Sequence, residues 1–479
     1  MTKIQKLVSL LLCACMLLSA SALAETASAE LTADTVLATV GGEEITWGDV
    51  ESTYNNLVAS YSSYYDMTLD SSIALFRAVA LDNVVQQTVL MQKAVELGLD
   101  QLTEEEIAAS DAQADADWEA ALENYLSYFH SDMTDETPQE ERDAANAEAI
   151  AYYNDAGYTP ESLRTDYQRY TVFSKVEAMM LQDVVVTDEE VEAAYQALLA
   201  ADKELYENDI VAYVEYNNYV DSMALYAQYY GSTSDLDHAW YKPEGFRAVK
   251  HILLPVDEEL MSTYTDLVAR YEEQQEATEE VTDPVTEEQI NQAHAAILNS
   301  LADVIDEINA KIAEGADFDE LIAEYAVNED GTPTDQGMVT EPYKTSGYEV
   351  SSASTNYVQG FVDAAFSVDN IGDVSAPYLT DYGVHIVKYI GDVAGGPIAM
   401  TDEQREAKRQ SLLETEQGDV YSATLEQWIE EAGVVYTGAV TTMAELEAAE
   451  AAEATEAVTV EDAEEQVAEG EEAAPADGE

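Results

Sequence analysis

Cysteine, basic residues and histidine are all scarce in this chain, and each scarcity excludes something. The 479 residues hold two cysteines, Cys13 and Cys15, both inside an N-terminal apolar run. Without that run the chain has no disulfide and no thiol chemistry. Lysine and arginine together number 19 against 98 acids. Lys3 and Lys6 are the only charges in residues 1–24, so from residue 25 on 17 bases face 98 acids, a formal charge of −81. That balance argues against nucleic acid and anionic membrane surfaces as partners, because both need a basic footprint. After the N-terminal segment no stretch reaches about 18 uninterrupted apolar residues, so no second membrane span is expected. The acids show no spaced metal-ligand set, and no cofactor or metal is expected.

The N-terminus has the plan of a secretory signal: Lys3 and Lys6, then Leu7 to Leu18, then Ala22-Leu23-Ala24 as an A-x-A cleavage site. The expected location is extracellular or associated with the cell envelope. Leu12-Cys13-Ala14-Cys15 loosely resembles a lipobox, so lipid anchoring at Cys15 is the alternative. At this length two or three domains are expected.

Residues 35–46 read as a hairpin around Gly41-Gly42, and Thr46 with Asp49 opens a helix carrying Val50, Tyr54, Leu57, Val58 and Tyr61 on one face. A longer helix is expected over 71–97, capped by Gly98. Thr103 with Glu106 and Thr187 with Glu190 are capping boxes, and Thr159-Pro160 opens a helix between them. Residues 47 to about 235 thus read as mostly helical. Their tyrosine-rich stretches (Tyr61, Tyr64, Tyr65; Tyr213, Tyr216, Tyr219; Tyr226, Tyr229, Tyr230) suit amphipathic packing or a sticky, polar-tipped surface for unfolded chains. The segment 241–246 is turn-rich and marks a boundary.

From 247 to 392 strands alternate with helices. Two apolar, β-branched runs each contain one of the five histidines: Val249-Lys250-His251-Ile252-Leu253-Leu254 and Tyr382-Gly383-Val384-His385-Ile386-Val387-Lys388. Such runs read as buried strands, and side by side they bring His251 and His385 together. His130, His238 and His294 are isolated and read as structural or exposed. An acidic helical or disordered insertion is expected at 257–290, helices over 291–314 and 319–326, a loop over 329–356, a helix over 400–433 and a strand at 434–437. Residues 441–479 carry 14 acids and no base and read as a disordered tail.

Segment 247–392 resembles the parvulin family of peptidyl-prolyl isomerases. Besides the two histidine strands, the resemblance rests on Glu314-Gly315-Ala316-Asp317-Phe318, Leu321-Ile322-Ala323-Glu324-Tyr325, Phe361-Val362-Asp363-Ala364-Ala365-Phe366 and Gly372-Asp373-Val374-Ser375-Ala376-Pro377. Val40-Gly41-Gly42-Glu43-Glu44-Ile45-Thr46 and the helices after it resemble the N-terminal chaperone domain of SurA-like and PrsA-like foldases. The implied fold is α+β. A helical SurA-N-like domain (30–245) is completed by 398–440 and carries an inserted parvulin-like domain (246–392) with a small antiparallel sheet. The signal (1–24) and the tail (441–479) flank it.

The resemblance implies catalytic positions at His251, His385, Asn328, Thr380 and Tyr382. It implies a proline-binding set of Phe361, Tyr357, Gln336, Met338 and Phe366. The sequence departs from the family at three of these: Asn328 stands where aspartate or cysteine is usual, Tyr357 where methionine is usual, and Gln336 where leucine is usual. The expected function is an exported foldase that binds unfolded or partly folded proline-containing polypeptides and isomerises X-Pro bonds. The alternative is a parvulin-like holdase without isomerase activity.

Overall fold

Burial of the apolar stripes read from the sequence produces two units in the computed structural model, which describes residues 30–134, 136–232, 236–276 and 282–448. One unit holds the described residues up to Val185 and from Ser411 on; the other runs from Val186 to Gln410. The expected signal segment, with Cys13 and Cys15, lies outside the described residues.

In the first unit, strands β1 (Val36–Val40) and β2 (Glu43–Thr46) form the expected hairpin, with Gly41 and Gly42 at positive φ in its turn. Thr46 and Asp49 close the capping box at the start of α1 (Trp47–Tyr61), with Asp49 Oδ2 accepting the Thr46 amide at 2.8 Å. Helix α2 (Asp70–Leu97) ends on Gly98 in the left-handed conformation. It is long and apolar enough to cross a bilayer, but twelve of its side chains are buried in the protein. Helices α3 (Glu104–Phe129), α4 (Gln139–Asp155) and α5 (Pro160–Leu181) follow. Thr103 accepts the Glu106 amide while Glu106 accepts that of Thr103, so two donors left bare by the helix start are satisfied.

The second unit begins earlier than the boundary read at 241–246. Helices α6 (Asp188–Tyr206) and α7 (Ile210–Tyr229) group with the sheet that follows. The reason is aromatic packing. Tyr195 meets Trp240 edge-on at 5.7 Å and donates to the Ile398 carbonyl at 2.9 Å, and Tyr213 meets Phe246 at 5.7 Å. Here the tyrosine stripe packs, whereas Tyr226, Tyr229 and Tyr230 at the end of α7 remain exposed. Strand β3 (Tyr241–Lys242) precedes β4 (Phe246–Leu254), the long histidine strand.

The acidic insertion contains a helix, α8 (Glu258–Glu276). The single helix expected over 291–314 is two, α9 (Glu287–Ser300) and α10 (Ala302–Ala313), divided at Leu301. Helix α11 (Phe318–Tyr325) is capped by Asp317. The segment 329–356, expected to be a loop, holds a 3₁₀ turn at Gly337–Val339, the short helix α12 (Tyr343–Ser346) and strand β5 (Tyr348–Val350). These elements are too short to leave a periodic signal. Then come α13 (Gln359–Phe366), β6 (Tyr378–Thr380), β7 (Gly383–Val393) and β8 (Gly396–Pro397), which pairs with β3.

The main sheet is antiparallel in the order β5-β4-β7-β6. Its faces are both covered, which is why β4 and β7 read as continuous apolar runs. One face sets Ile252, Leu254, Val384 and Ile386 against Ile297, Ile308, Phe318, Leu321 and Ile322 of the helices. The other sets Val249 and Val387 against Phe361 and Val362 of α13. Gly383 is required where β7 begins: its φ is +135° and a Cβ there would lie 2.4 Å from the Leu254 carbonyl oxygen.

Helix α14 (Asp402–Ala432) carries the chain back into the first unit, and β9 (Val435–Tyr436) pairs antiparallel with β1. Leu425 of α14 is buried with Leu37, Val40, Leu81 and Phe173. The expected disordered tail does not start at 441. Residues 443–448 are helical, and Leu446, 1% exposed, packs against Leu75, Phe76 and Val79. Composition alone cannot see a single leucine that finds a core. The rest of the tail, 449–479, lies outside the described residues.

Candidate active site

The register of β4 against β7 decides where the two histidines stand. His251 is opposite Val387 and Leu253 opposite His385. Side chains alternate between faces along a strand, so His251 and His385 are diagonal neighbours on one face. Their rings stack at 5.0 Å with 12° between planes, and their Nδ1 atoms are 3.0 Å apart. Phe361 packs on both rings, at 5.0 Å from His251 and 5.4 Å from His385. Both histidines are buried.

A third group completes the cluster from the loop after α11. Thr334 Oγ1 donates to the Leu253 carbonyl at 2.7 Å, which ties the loop to β4, and Val327 bridges to Pro333 within the loop. Asp335 is thereby delivered to His251, with Oδ2 2.7 Å from Nε2. Its other oxygen, Oδ1, accepts the Gly337 amide at 2.8 Å and the Tyr348 hydroxyl at 2.9 Å. Gly337 has to be glycine here, because a Cβ would stand 1.9 Å from that hydroxyl. At the far end, Thr380 Oγ1 lies 2.7 Å from His385 Nε2 and accepts the Tyr382 amide at 3.2 Å.

These partners fix where the protons sit. An ionised carboxylate only accepts, so His251 carries hydrogen on Nε2. The Nδ1–Nδ1 contact holds one proton. When His251 is neutral its Nδ1 is bare, so His385 donates through Nδ1. Nε2 of His385 is then bare and takes the hydroxyl hydrogen of Thr380. Every donor points toward Asp335. When His251 is protonated, the bond between the rings reverses, His385 donates through Nε2 to Thr380, and the hydroxyl hydrogen of Thr380 is released. Burial, and then the proximity of His251, push His385 down to about 3, so its ring stays neutral. Burial works to raise Asp335, but its bond to His251, that residue's charge, the Tyr348 hydroxyl and the Gly337 amide together hold the carboxyl below its usual range. Burial also pushes the Tyr357 phenol up to about 12, so it stays a donor.

Of the residues expected at the site, the structure brings together His251, His385, Thr380, Phe361 and Tyr357, whose ring lies 5.4 Å from that of Phe361. Asn328 stands apart. It is exposed and shapes the turn after α11, donating to Thr332 Oγ1 at 3.1 Å. Tyr382 is 69% exposed and reaches Thr380 through its backbone. Gln336 is exposed in the loop. Met338 is buried with Ile252 and Leu321 on the opposite face of the sheet from Phe361. Phe366 packs beneath the Arg247 guanidinium at 4.5 Å. Asp335 and Tyr348 are the members that the sequence reading did not assign. Tyr348, opposite Val249 in the sheet, extends the aromatic wall at 5.7 Å from Tyr357.

A model of the PPIC-type peptidyl-prolyl isomerase domain matches residues 286–391, and one of the SurA-like N-terminal domain matches residues 2–137. Strand β4 with His251 precedes the first match but lies in the same sheet as β7. Foldase protein PrsA of Clostridium acetobutylicum is 28% identical over 127 residues, which is 26% of this chain and 34% of that protein, so only about a third of the relative is spanned. PrsA from Bacillus subtilis is 14% identical, with 84% of this chain and 92% of that one covered, at a TM-score of 0.17. The structure described as "The virulence factor PEB4 and the periplasmic protein Cj1289 are two structurally-related SurA-like chaperones in the human pathogen Campylobacter jejuni" is 14% identical, with 84% and 100% covered, at 0.23. Superposition scores this low add nothing to the assignment. Two separate segments of the chain thus match family models, residues 2–137 that of the SurA-like N-terminal domain and residues 286–391 that of the PPIC-type peptidyl-prolyl isomerase domain, and the second segment holds His385 and its strand β7.

Proposed function

We propose that the chain is an exported foldase that binds unfolded, proline-containing polypeptides and isomerises their X-Pro bonds at the cluster of His251, His385, Thr380 and Phe361. The observation that supports this most is the continuous chain of hydrogen bonds from Asp335 through both histidines to Thr380, held under an aromatic wall. The X-Pro bond resists rotation by roughly 18–20 kcal/mol, and no covalent step is needed to lower that barrier. The site has to bind the twisted amide better than the planar one. A thousandfold acceleration asks for about 4 kcal/mol, within reach of a few fixed dipoles next to an apolar wall. Phe361 itself is 3% exposed, and the Tyr357 ring lies against it at 5.4 Å. That closed wall is also what favours the second reading, a holdase whose isomerase fold is a binding module.

A protease-coupled proline isomerisation assay on the full chain separates the two. We expect weak, measurable catalysis that falls when Thr380→Val removes the hydroxyl, measured on a variant confirmed folded, because leaving His385 Nε2 without its donor costs about 1–3 kcal/mol of stability. A rate equal to the uncatalysed reaction leaves the holdase.

A further inference from the structure

Helices α3 and α4 end in an aromatic cluster that the isomerase site does not use. Tyr128 is 79% exposed, Phe129 58% and Tyr152 55%. They are one assembly: Phe129 lies 4.7 Å from Tyr125 and 4.8 Å from Tyr128, and Tyr125 lies 5.0 Å from Tyr152. Tyr125 itself is buried and donates to Glu148, so the three exposed rings rest on a fixed base. Three large rings left in water on the same helical pair are not explained by packing within the unit.

The chemistry around them identifies the occupant. From Glu104 to Asp155 the sequence has sixteen acids and one base, Arg142. Glu123, Asp132 and Asp155 stand within a few residues of the three rings, and all three are exposed. Ring faces carry negative electrostatic potential and attract guanidinium and ammonium groups, Arg most often. A ring cluster in a strongly negative field favours cations and disfavours acidic chains. We infer that this helical hairpin is a docking surface for extended, arginine- and lysine-rich segments of unfolded polypeptides. The inference rests on the foldase reading and narrows its clients to cationic ones.

The test uses the full chain and two unstructured synthetic peptides of equal length and equal aromatic content, one rich in arginine and the other in glutamate. Titration calorimetry over a range of salt concentrations should show binding of the arginine peptide, weakening with salt, and none of the glutamate peptide. The triple variant Tyr128→Ser, Phe129→Ser, Tyr152→Ser keeps every charge, and it should lower affinity for the arginine peptide at least about tenfold. A triple variant that is folded and binds like wild type reduces the effect to net charge and overturns the surface. Should that variant not fold, Glu123→Gln, Asp132→Asn, Asp155→Asn decides in its place: a severalfold loss supports the surface, and no loss overturns it. Equal binding of the two peptides also overturns it. Suppression of aggregation of an uncharged unfolded client is measured alongside. If suppression persists without the arginine preference, this inference alone falls; if suppression is also absent, the foldase reading falls with it.

Discussion

Replacing Asp335 by asparagine should reverse the proton order of the entire histidine network. The two oxygens of Asp335 are not equivalent. Oδ1 accepts the Gly337 amide at 2.8 Å, Oδ2 faces His251 Nε2 at 2.7 Å, and the Tyr348 hydroxyl lies 2.9 Å from Oδ1 and 3.1 Å from Oδ2. An asparagine therefore keeps its oxygen at the Oδ1 position and turns its NH₂ toward His251. An amide nitrogen donates and does not accept, so Nε2 of His251 must lose its hydrogen. The ring then carries hydrogen on Nδ1 and donates to His385, which in turn donates through Nε2 to Thr380. The cost is one charge-assisted hydrogen bond exchanged for a neutral one, about 1–2 kcal/mol. For a unit of this size that lowers the melting temperature by roughly 2–8 °C. Long-range ¹⁵N–¹H correlation spectra of imidazole-labelled protein, recorded at alkaline pH where both rings are neutral, read both tautomers directly. Wild type should show His251 protonated at Nε2 and His385 at Nδ1, and Asp335→Asn should show the two exchanged. Unchanged tautomers in a folded variant refute the assignment of Asp335 as the residue that orients the pair.

The remaining expectations follow from the same geometry. His385 is held near 3 in the folded chain, below its ordinary value near 6.5, so the unfolded chain binds more protons between those limits and stability falls as pH drops from about 6.5 toward 3. The contribution at the acid end is about 3–5 kcal/mol, read as the difference in chemical-denaturation stability between wild type and His385→Gln across pH, a difference that removes the shared effect of the many carboxylates. Phe361→Ala empties a site 3% exposed and should cost about 3–5 kcal/mol, so it tests stability first; Phe361→Leu, which fills more of the space, is the variant for isomerase assays. Asn328→Asp should leave isomerase activity unchanged, because that side chain bonds to its own turn; a clear gain in rate would show that it reaches the site in solution. Ending the chain at 440 rather than at 448 removes Leu446 and should cost about 2–4 kcal/mol by differential scanning calorimetry.

What the sequence discloses and what it conceals divide along the range of the interactions. The capping boxes at Thr46, Thr103 and Thr187 are legible because each is closed within three residues. The pairing of His251 with His385 is legible although the residues are far apart, because two strands buried on both faces leave apolar runs that fit few partners. Asp335 is different. Its neighbours are glycine, proline, threonine and aspartate, which speak only of turns, and nothing local says that the turn is tied back to Leu253. The resemblance instead points to Asn328, where aspartate or cysteine is usual, as the place for a carboxylate. The structure supplies it seven residues later, through a threonine hydroxyl and a two-residue bridge. Leu446 is concealed for the matching reason: an acidic, alanine-rich context describes its neighbours in sequence, while its energy comes from Phe76 and Val79. Such contacts are set by where the chain returns, not by what surrounds a residue along it. The residue that orients His251 is thus one that a linear reading misses: Asp335 is placed by the return of its loop onto Leu253, not by its neighbours in sequence.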